Sequence, residues 1–287
     1  MRPVAALLLG AAAWGLIWYP MRLLEVRGLS GLWLALLLYF SALIVSLPWT
    51  WRGLREFKAH PAVMWFIALT SGWTNVAFVL AVLEGNILRV MLLFYLSPVW
   101  AVPMGRWFLG ERVSLASTVA LALAGTGALA MLWNPEVGFP WPDGRADWLG
   151  LTAGFAFAAS NVAVRHARSL SIGGKALSAW IGVSLVALVW AVASSVPLPS
   201  VEPPIYLYAV ALGIGAVLGM TVLVQYGVAH MPVQRSAVIM LFELVVGALS
   251  QQLLTDENLG WVEWAGGGLI AFGAYLAARA PVAPTKP

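Results

Sequence analysis

The sequence predicts an all-α polytopic membrane protein with ten transmembrane helices, arranged as two inverted five-helix repeats. The first observation behind this is composition. Hydrophobic residues make up 61% of the 287 and charged residues only 10%, against roughly 25% charged in ordinary soluble domains. Such a chain cannot cover itself with a hydrated surface, so lipid must be its solvent. The second is spacing: ten apolar stretches, each near the roughly 20 residues that cross a bilayer core, fill the chain and leave no room for a soluble domain. The third is self-similarity. Residues 89–113 and 235–259 match at a shift of 146, which sets Arg89 on Arg235, Ser97 on Glu243 and Glu111 on Glu257. Five spans per copy is an odd number, so the second copy must enter the membrane in the opposite sense, an architecture used by secondary transporters.

Each span is justified in turn. The first, 3–22, opens Met1-Arg2-Pro3 and continues apolar through Trp14 to Tyr19, too long for the core of a signal peptide. Spans 30–51 and 62–83 are separated by Arg52, Arg55 and Lys58, and Pro20 and Pro48 fall near span ends. Span 88–109 carries Pro98 and Pro103, which remove backbone donors at mid-depth and are expected to act as hinges. Span 114–133 contains Gly125 and Gly127. The connection 134–147, with Pro135, Pro140, Pro142 and Asp143-Gly144, has loop composition. It divides the chain into a first repeat, 1–137, and a second, 138–287. Spans 148–169, 174–196, 204–228, 234–254 and 259–279 complete the second copy. Gly125/Gly127, Gly215/Gly219 and Gly266-Gly267-Gly268 are expected to be close-packing surfaces, with Gly215/Gly219 inside the bundle.

Lysine and arginine orient the chain. With the N-terminus inside, the inner segments hold Arg2, Arg52, Arg55, Lys58, Arg106, Arg112, Arg165, Arg168, Lys175, Arg235, Arg279 and Lys286. The outer ones hold Arg22, Arg27, Arg89 and Arg145. Twelve against four, which accounts for all sixteen basic residues, places both termini in the cytoplasm of an inner-membrane protein. The same count sets Arg89 and Arg235 on opposite faces, as inversion requires.

The chain resembles the ten-helix exporters of the drug/metabolite transporter superfamily, EamA type. The residues that carry the likeness are Trp14-Gly15 in the first helix, Ser97-Pro98 followed by Leu109-Gly110-Glu111-Arg112, and Glu243 before Leu244. The glycine-rich fifth and tenth helices (Gly125, Gly127; Gly266, Gly267, Gly268, Gly273) add to it. Richness in Trp and Tyr most resembles the aromatic amino acid exporters called YddG. The resemblance implies export of small organic metabolites, aromatic amino acids foremost, by alternating access through a central cavity. Other amino acids, cationic drugs and nucleobase-like metabolites stay open as cargo. Two departures stand out. Leu244 occupies a position where the family often has proline, which leaves a kink there without its usual cause, and Thr255-Asp256-Glu257 replaces Leu-Gly-Glu.

Position sorts the sixteen tryptophans. Trp49, Trp51, Trp107, Trp133, Trp141, Trp148, Trp261 and Trp264 fall near span ends, where aromatic belts sit. Trp14, Trp18, Trp73 and Trp100 fall near mid-span, where an indole N–H needs a protein partner or a cavity. Candidate substrate contacts are Trp14, Trp18, Asn75, Phe78, Tyr95, Ser97, Trp100, Asn161, Gln225 and Glu243, several of them amides at one depth, as a zwitterion would need. The alternative for each is a packed aromatic or an interhelical hydrogen bond worth about 0.6 to 2 kcal/mol. Glu243 is the one acid placed inside a span. It must face protein or water, either as a proton or ammonium site or as a structural acceptor. Arg89 and Arg235 are either headgroup-snorkelling residues or gate residues, and the acids 22 positions further on lie at the far end, so any ion pair must come from another helix.

No cofactor, metal or enzymatic activity is expected. The chain has no cysteine, no HExxH motif and no Walker motif, and His60, His166 and His230 fall near span ends. An intramembrane enzyme, and a channel or membrane scaffold, are the alternatives from other classes. The expected partners are the lipid bilayer and a small-molecule substrate but no nucleic acid, with the protein a monomer or weak dimer.

Overall fold

The computed structural model describes residues 2–29, 31–133, 141–255 and 259–279. The expected repeat boundary, with Pro135 and Pro140, lies outside the described residues, as do Asp256, Glu257 and Lys286. All regular structure among the described residues is helical. The chain runs α1 (Pro3–Val26), α2 (Gly31–Thr50), α3 (Gly53–Ala59), α4 (Pro61–Glu84), α5 (Ile87–Phe94), α6 (Ser97–Leu109) and α7 (Leu115–Leu132). It continues with α8 (Arg145–His166), α9 (Ile172–Ala193), α10 (Pro203–Leu212), a π-turn (Gly213–Val217) and α11 (Leu218–Ala229). Last come α12 (Val233–Met240), α13 (Phe242–Leu254) and α14 (Trp261–Arg279).

Apart from the seven-residue α3, these helices form ten rods. Six are single (α1, α2, α4, α7, α8, α9) and α14 is a seventh. The other three are composites: α5 with α6, α10 with α11 across the π-turn, and α12 with α13. Seven rods are long and apolar enough to cross a membrane by length and composition. Of the remainder, the α5–α6 rod is divided into two short helices, α8 is diluted by charges, Asn161 and small residues, and α14 by glycines and Glu263.

Local chemistry fixes the ends. Pro3 and Pro61 occupy first-turn positions whose N–H is unneeded. Asn86, Ser114 and Ser171 cap α5, α7 and α9 by accepting from Arg89 N (3.1 Å), Ser117 N (3.1 Å) and Gly174 N (2.9 Å). Gly110, at φ 65°, stops α6 in the left-handed conformation.

The packing repeats when the halves are exchanged. α4 lies on α8 as α1 lies on α11; α5 and α6 lie on α8 as α12 and α13 lie on α1. α2 pairs with α9, and α7 with α14. The breaks repeat too: the fourth rod breaks at Tyr95–Leu96 and the ninth at Leu241, the position 146 residues after Tyr95.

Two sequence expectations, on the ninth rod and on Gly215/Gly219, need correcting. The ninth rod breaks although Leu244 stands in place of proline. Its chain tightens by a short bond from Leu241 N to Val238 O (3.2 Å), as Leu96 N to Leu93 O (3.4 Å) does in the fourth rod. Of the two prolines expected as hinges, Pro98 begins α6 just after the break and Pro103 lies inside the continuous helix α6. Gly215 and Gly219 face open space, as do Gly125 and Gly268; the close approach near them belongs to Gly213, where a Cβ would strike the Leu38 carbonyl and Ser41. Lys175, at the start of the expected span 174–196, is fully buried in the first turn of α9 and donates to Ala167 O at 3.0 Å.

The eight span-end tryptophans are all exposed, from 43% at Trp133 to 80% at Trp261, as an aromatic belt requires. Helices meet closest at glycines: Gly127 and Gly266 of α7 and α14 each face the other's carbonyl, and a Cβ on Gly182 of α9 would collide with the Ala68 carbonyl of α4. Gly182→Ala is therefore expected to lower the melting temperature in detergent, at a cost of about 1–3 kcal/mol or more. Gly215→Ala, which meets nothing, should leave it unchanged or slightly raised. Equal melting temperatures for the two variants would contradict this packing.

Candidate functional site

Breaking a helix in mid-membrane exposes backbone groups that lipid cannot satisfy, so both breaks must be turned inward. They are. Pro98 has no N–H to offer Phe94 O, and that carbonyl is packed against Gly154 of α8, where a Cβ would lie 2.5 Å away. On the other side the Glu243 carbonyl meets Gly15 of α1, where a Cβ would lie 2.6 Å away. The Trp14-Gly15 pair thus has a steric meaning: glycine admits the broken rod, and the tryptophan beside it faces the space that the break opens.

That space is a cavity between the two halves, with about 1060 Å³ of open volume, mouth included. Six aromatic rings line it: Trp14, Tyr39, Phe78, Phe94, Tyr95 and Phe157. Phe94 is their hub, with ring centroids 4.9 Å from Phe78, 5.3 Å from Tyr95 and 5.5 Å from Phe157. Of the ten expected contact residues, eight line the cavity: Trp14, Asn75, Phe78, Tyr95, Ser97, Asn161, Gln225 and Glu243.

Trp18 and Trp100 do not. Trp18 spends its indole N–H on Ser250 Oγ at 2.9 Å, tying α1 to α13. Trp100 packs edge-on against Phe155 with centroids 5.7 Å apart. Trp14 and Trp18 share a helix face as expected, but four residues along a helix is 6 Å of rise, enough to carry Trp18 past the cavity. Trp73 is likewise structural, donating to Thr152 Oγ1 at 3.3 Å.

The polar lining divides into occupied and free groups. Asn75 is committed: its Nδ2 donates to Ser71 O (2.9 Å) and its Oδ1 accepts from Tyr39 OH (2.7 Å). Ser71 and Ser160 bond each other across α4 and α8 at 3.0 Å, and Thr221 donates back to Val217 O at 2.7 Å. Gln225 Oε1 is buried with no partner among the described residues. Glu243 has the Tyr95 hydroxyl beside it and no ion pair among the described residues. Tyr39 escapes a reading of the sequence because it follows the uniform hydrocarbon run Leu34–Leu38 of α2. A lone phenol in the middle of such a helix, needing a partner for its O–H, is the signal that marks it.

The expected gate residues find their partners on other helices, as their spacing demands. Arg89 Nε lies 2.8 Å from Asp147 Oδ2 of α8, and the guanidinium also donates to Trp141 O. Arg235 donates to Ala278 O. At the other end of α8, Arg165 Nε contacts Glu111 Oε1 at 3.0 Å and its Nη1 donates to Ala229 O at 2.9 Å. Glu111 Oε2 accepts the Val233 N–H at 2.7 Å, and Gln234 Nε2 donates to Arg112 O at 2.9 Å. A carboxylate from the first half thus sits on the N-terminus of α12 in the second, where the helix dipole favours negative charge. This cluster closes one end of the bundle across the two halves.

The sequence model of the EamA-like transporter family matches residues 1–133 and 144–279. The chain belongs to that family. It is 26% identical over 256 residues to an uncharacterized transporter of Archaeoglobus fulgidus, covering 88% of this chain and 90% of that one. It is 26% identical over 183 residues to an uncharacterized transporter of Pseudomonas aeruginosa, covering 62% of this chain and 58% of that protein's length. Over 99 residues, 33% of this chain and 34% of the other, it is 27% identical to the protein RarD of Salmonella typhi. A crystal structure covering 96% of each chain superimposes with a TM-score of 0.78 at 16% identity, a likeness of fold. This EamA-like protein is a multi-pass membrane transporter.

Glu111 is 5% exposed and the side chain of Arg165 13%. Glu111→Gln strands a buried guanidinium, which costs about 3–5 kcal/mol. A clear drop in melting temperature in detergent is expected, and an unchanged value would show that the cluster does not hold the halves together.

Proposed function

We propose that this protein exports small aromatic metabolites, aromatic amino acids foremost, across the inner membrane by alternating access, with both termini in the cytoplasm. The observation that carries this reading is the convergence of both helix breaks on one aromatic-walled cavity at mid-depth. In transporters of inverted-repeat architecture, binding at the midplane beside interrupted helices lets either side be exposed by rocking around a fixed site. Flat faces from Trp14, Tyr39 and the Phe94 cluster supply stacking surface, and the Asn161 amide supplies hydrogen-bonding capacity.

Orientation rests on the lysine and arginine bias, which puts the Glu111 cluster at the cytoplasmic end and the Arg89–Asp147 pair at the opposite one. α8 is ion-paired to the α5–α6 rod at both ends, so these elements travel together. Arg145 to Glu84, at 3.4 Å, adds α4 to the same body. Exchange of the halves makes α1, α11 and the α12–α13 rod the opposing body.

Counterflow in proteoliposomes tests this. Labelled tryptophan should accumulate against internal unlabelled tryptophan, saturate, and be displaced by phenylalanine better than by threonine. Phe94→Ala, which removes the centre of the aromatic wall, should reduce the rate by about tenfold, the size expected if one stacking contact with the solute worth about 1.4 kcal/mol is lost from the barrier. Failure of aromatic amino acids to compete would remove the substrate assignment, and linear, unsaturable flux would remove the carrier.

A further inference from the structure

The cavity has an uneven charge inventory. Among the described residues that line it there is one ionisable acid, Glu243, and no lysine, arginine or histidine. Every basic side chain with a contact described above, Arg89, Arg145, Arg165, Lys175 and Arg235, is engaged towards the ends of the rods by a carboxylate or a backbone carbonyl. Nothing cationic is in place to receive a carboxylate brought in by a ligand. The aromatic faces around Glu243 point the same way, since their negative quadrupoles attract cations and repel anions. Tyr39 and Tyr95 stand on either side as walls that also carry hydroxyls.

We infer that the cavity selects for the ammonium group of its ligand and not for a carboxylate, so that aromatic amines bind more tightly than the corresponding amino acids. This deepens the carrier reading and rests on it for the cavity's role. The Glu243 carboxylate pairs with the ligand ammonium while the ring stacks in the aromatic walls. A ligand carboxylate instead loses its hydration in a space that offers it neutral amides and hydroxyls such as Asn161, Gln225 and Ser97, and a like charge. A zwitterion gains the first interaction and bears the second cost. An aromatic carboxylate lacking the amine gains neither.

The test is binding to the purified full-length protein in detergent, by calorimetry, with tryptamine, tryptophan and indole-3-propionate as probes. Tryptamine should bind saturably and about tenfold or more tighter than tryptophan, and indole-3-propionate should show no binding. Truncating one partner of a buried charge pair typically costs at least this much, so Glu243→Gln should weaken tryptamine about tenfold or more. Glu243→Asp, which keeps the charge, should retain most of the affinity. Equal or tighter binding of tryptophan or indole-3-propionate overturns the inference, as does unaltered tryptamine affinity in Glu243→Gln or no tryptamine binding at all. None of these results removes the carrier reading, which stands or falls on counterflow.

Discussion

In hydrocarbon every backbone N–H and C=O must find its partner inside the protein, and the architecture of this molecule follows from how it breaks that rule twice without violating it. The fourth and ninth rods stop being helical at mid-depth, at Tyr95–Leu96 and at Leu241. Short bonds recover part of the lost backbone pairing, Gly154 of α8 lets the freed Phe94 carbonyl be covered, and Gly15 of α1 admits the Glu243 carbonyl just past the other break. Because a break is tolerable only where it faces protein or a cavity, both breaks face the centre. They bring Tyr95, Ser97 and Glu243 to the cavity wall, and the rings around them follow from packing against α4 and α8.

Two-fold regularity of the frame contrasts with asymmetry in what it carries. The positions after the two breaks hold Ser97 in one half and Glu243 in the other, so the centre acquires a single charge instead of two or none. The ion pairs are just as uneven. α8 has Asp147 at one end and Arg165 at the other, each holding an end of the α5–α6 rod, whereas α1 carries no acid at the equivalent end. The frame is built twice; the differences between the copies give the cavity its electrostatic character and tie the halves together at one end through Glu111.

Much of the frame is readable from the residues, because it is written in long-range periodicity: ten apolar runs, a 146-residue shift, and tryptophans at the ends of spans. The cavity is partly readable for the same reason, since an amide or carboxylate in mid-span has few places to go. What escapes is decided by neighbours. The break at Leu241 carries no proline and is imposed by its place in the fold. Tyr39 becomes visible only through Asn75, whose amide it occupies. Trp100 misses the cavity by azimuth, a quantity set by helix rotation within the bundle, and Trp18, on the same face as Trp14, lies one turn beyond it. Gly215 and Gly219 have the spacing of a contact motif, yet the π-turn that contains Gly215 leaves both facing open space.

That the cavity between the two breaks is the path of the solute can be tested in the natural background, because the chain contains no cysteine. Ser97→Cys places one small thiol at the first break, in the cavity wall. Protein reconstituted in one orientation is exposed to a membrane-impermeant maleimide from either side, with and without saturating aromatic solute. A path that opens alternately predicts labelling from each side in turn and slower labelling when solute is present. Labelling from one side only, or rates indifferent to solute, would contradict it.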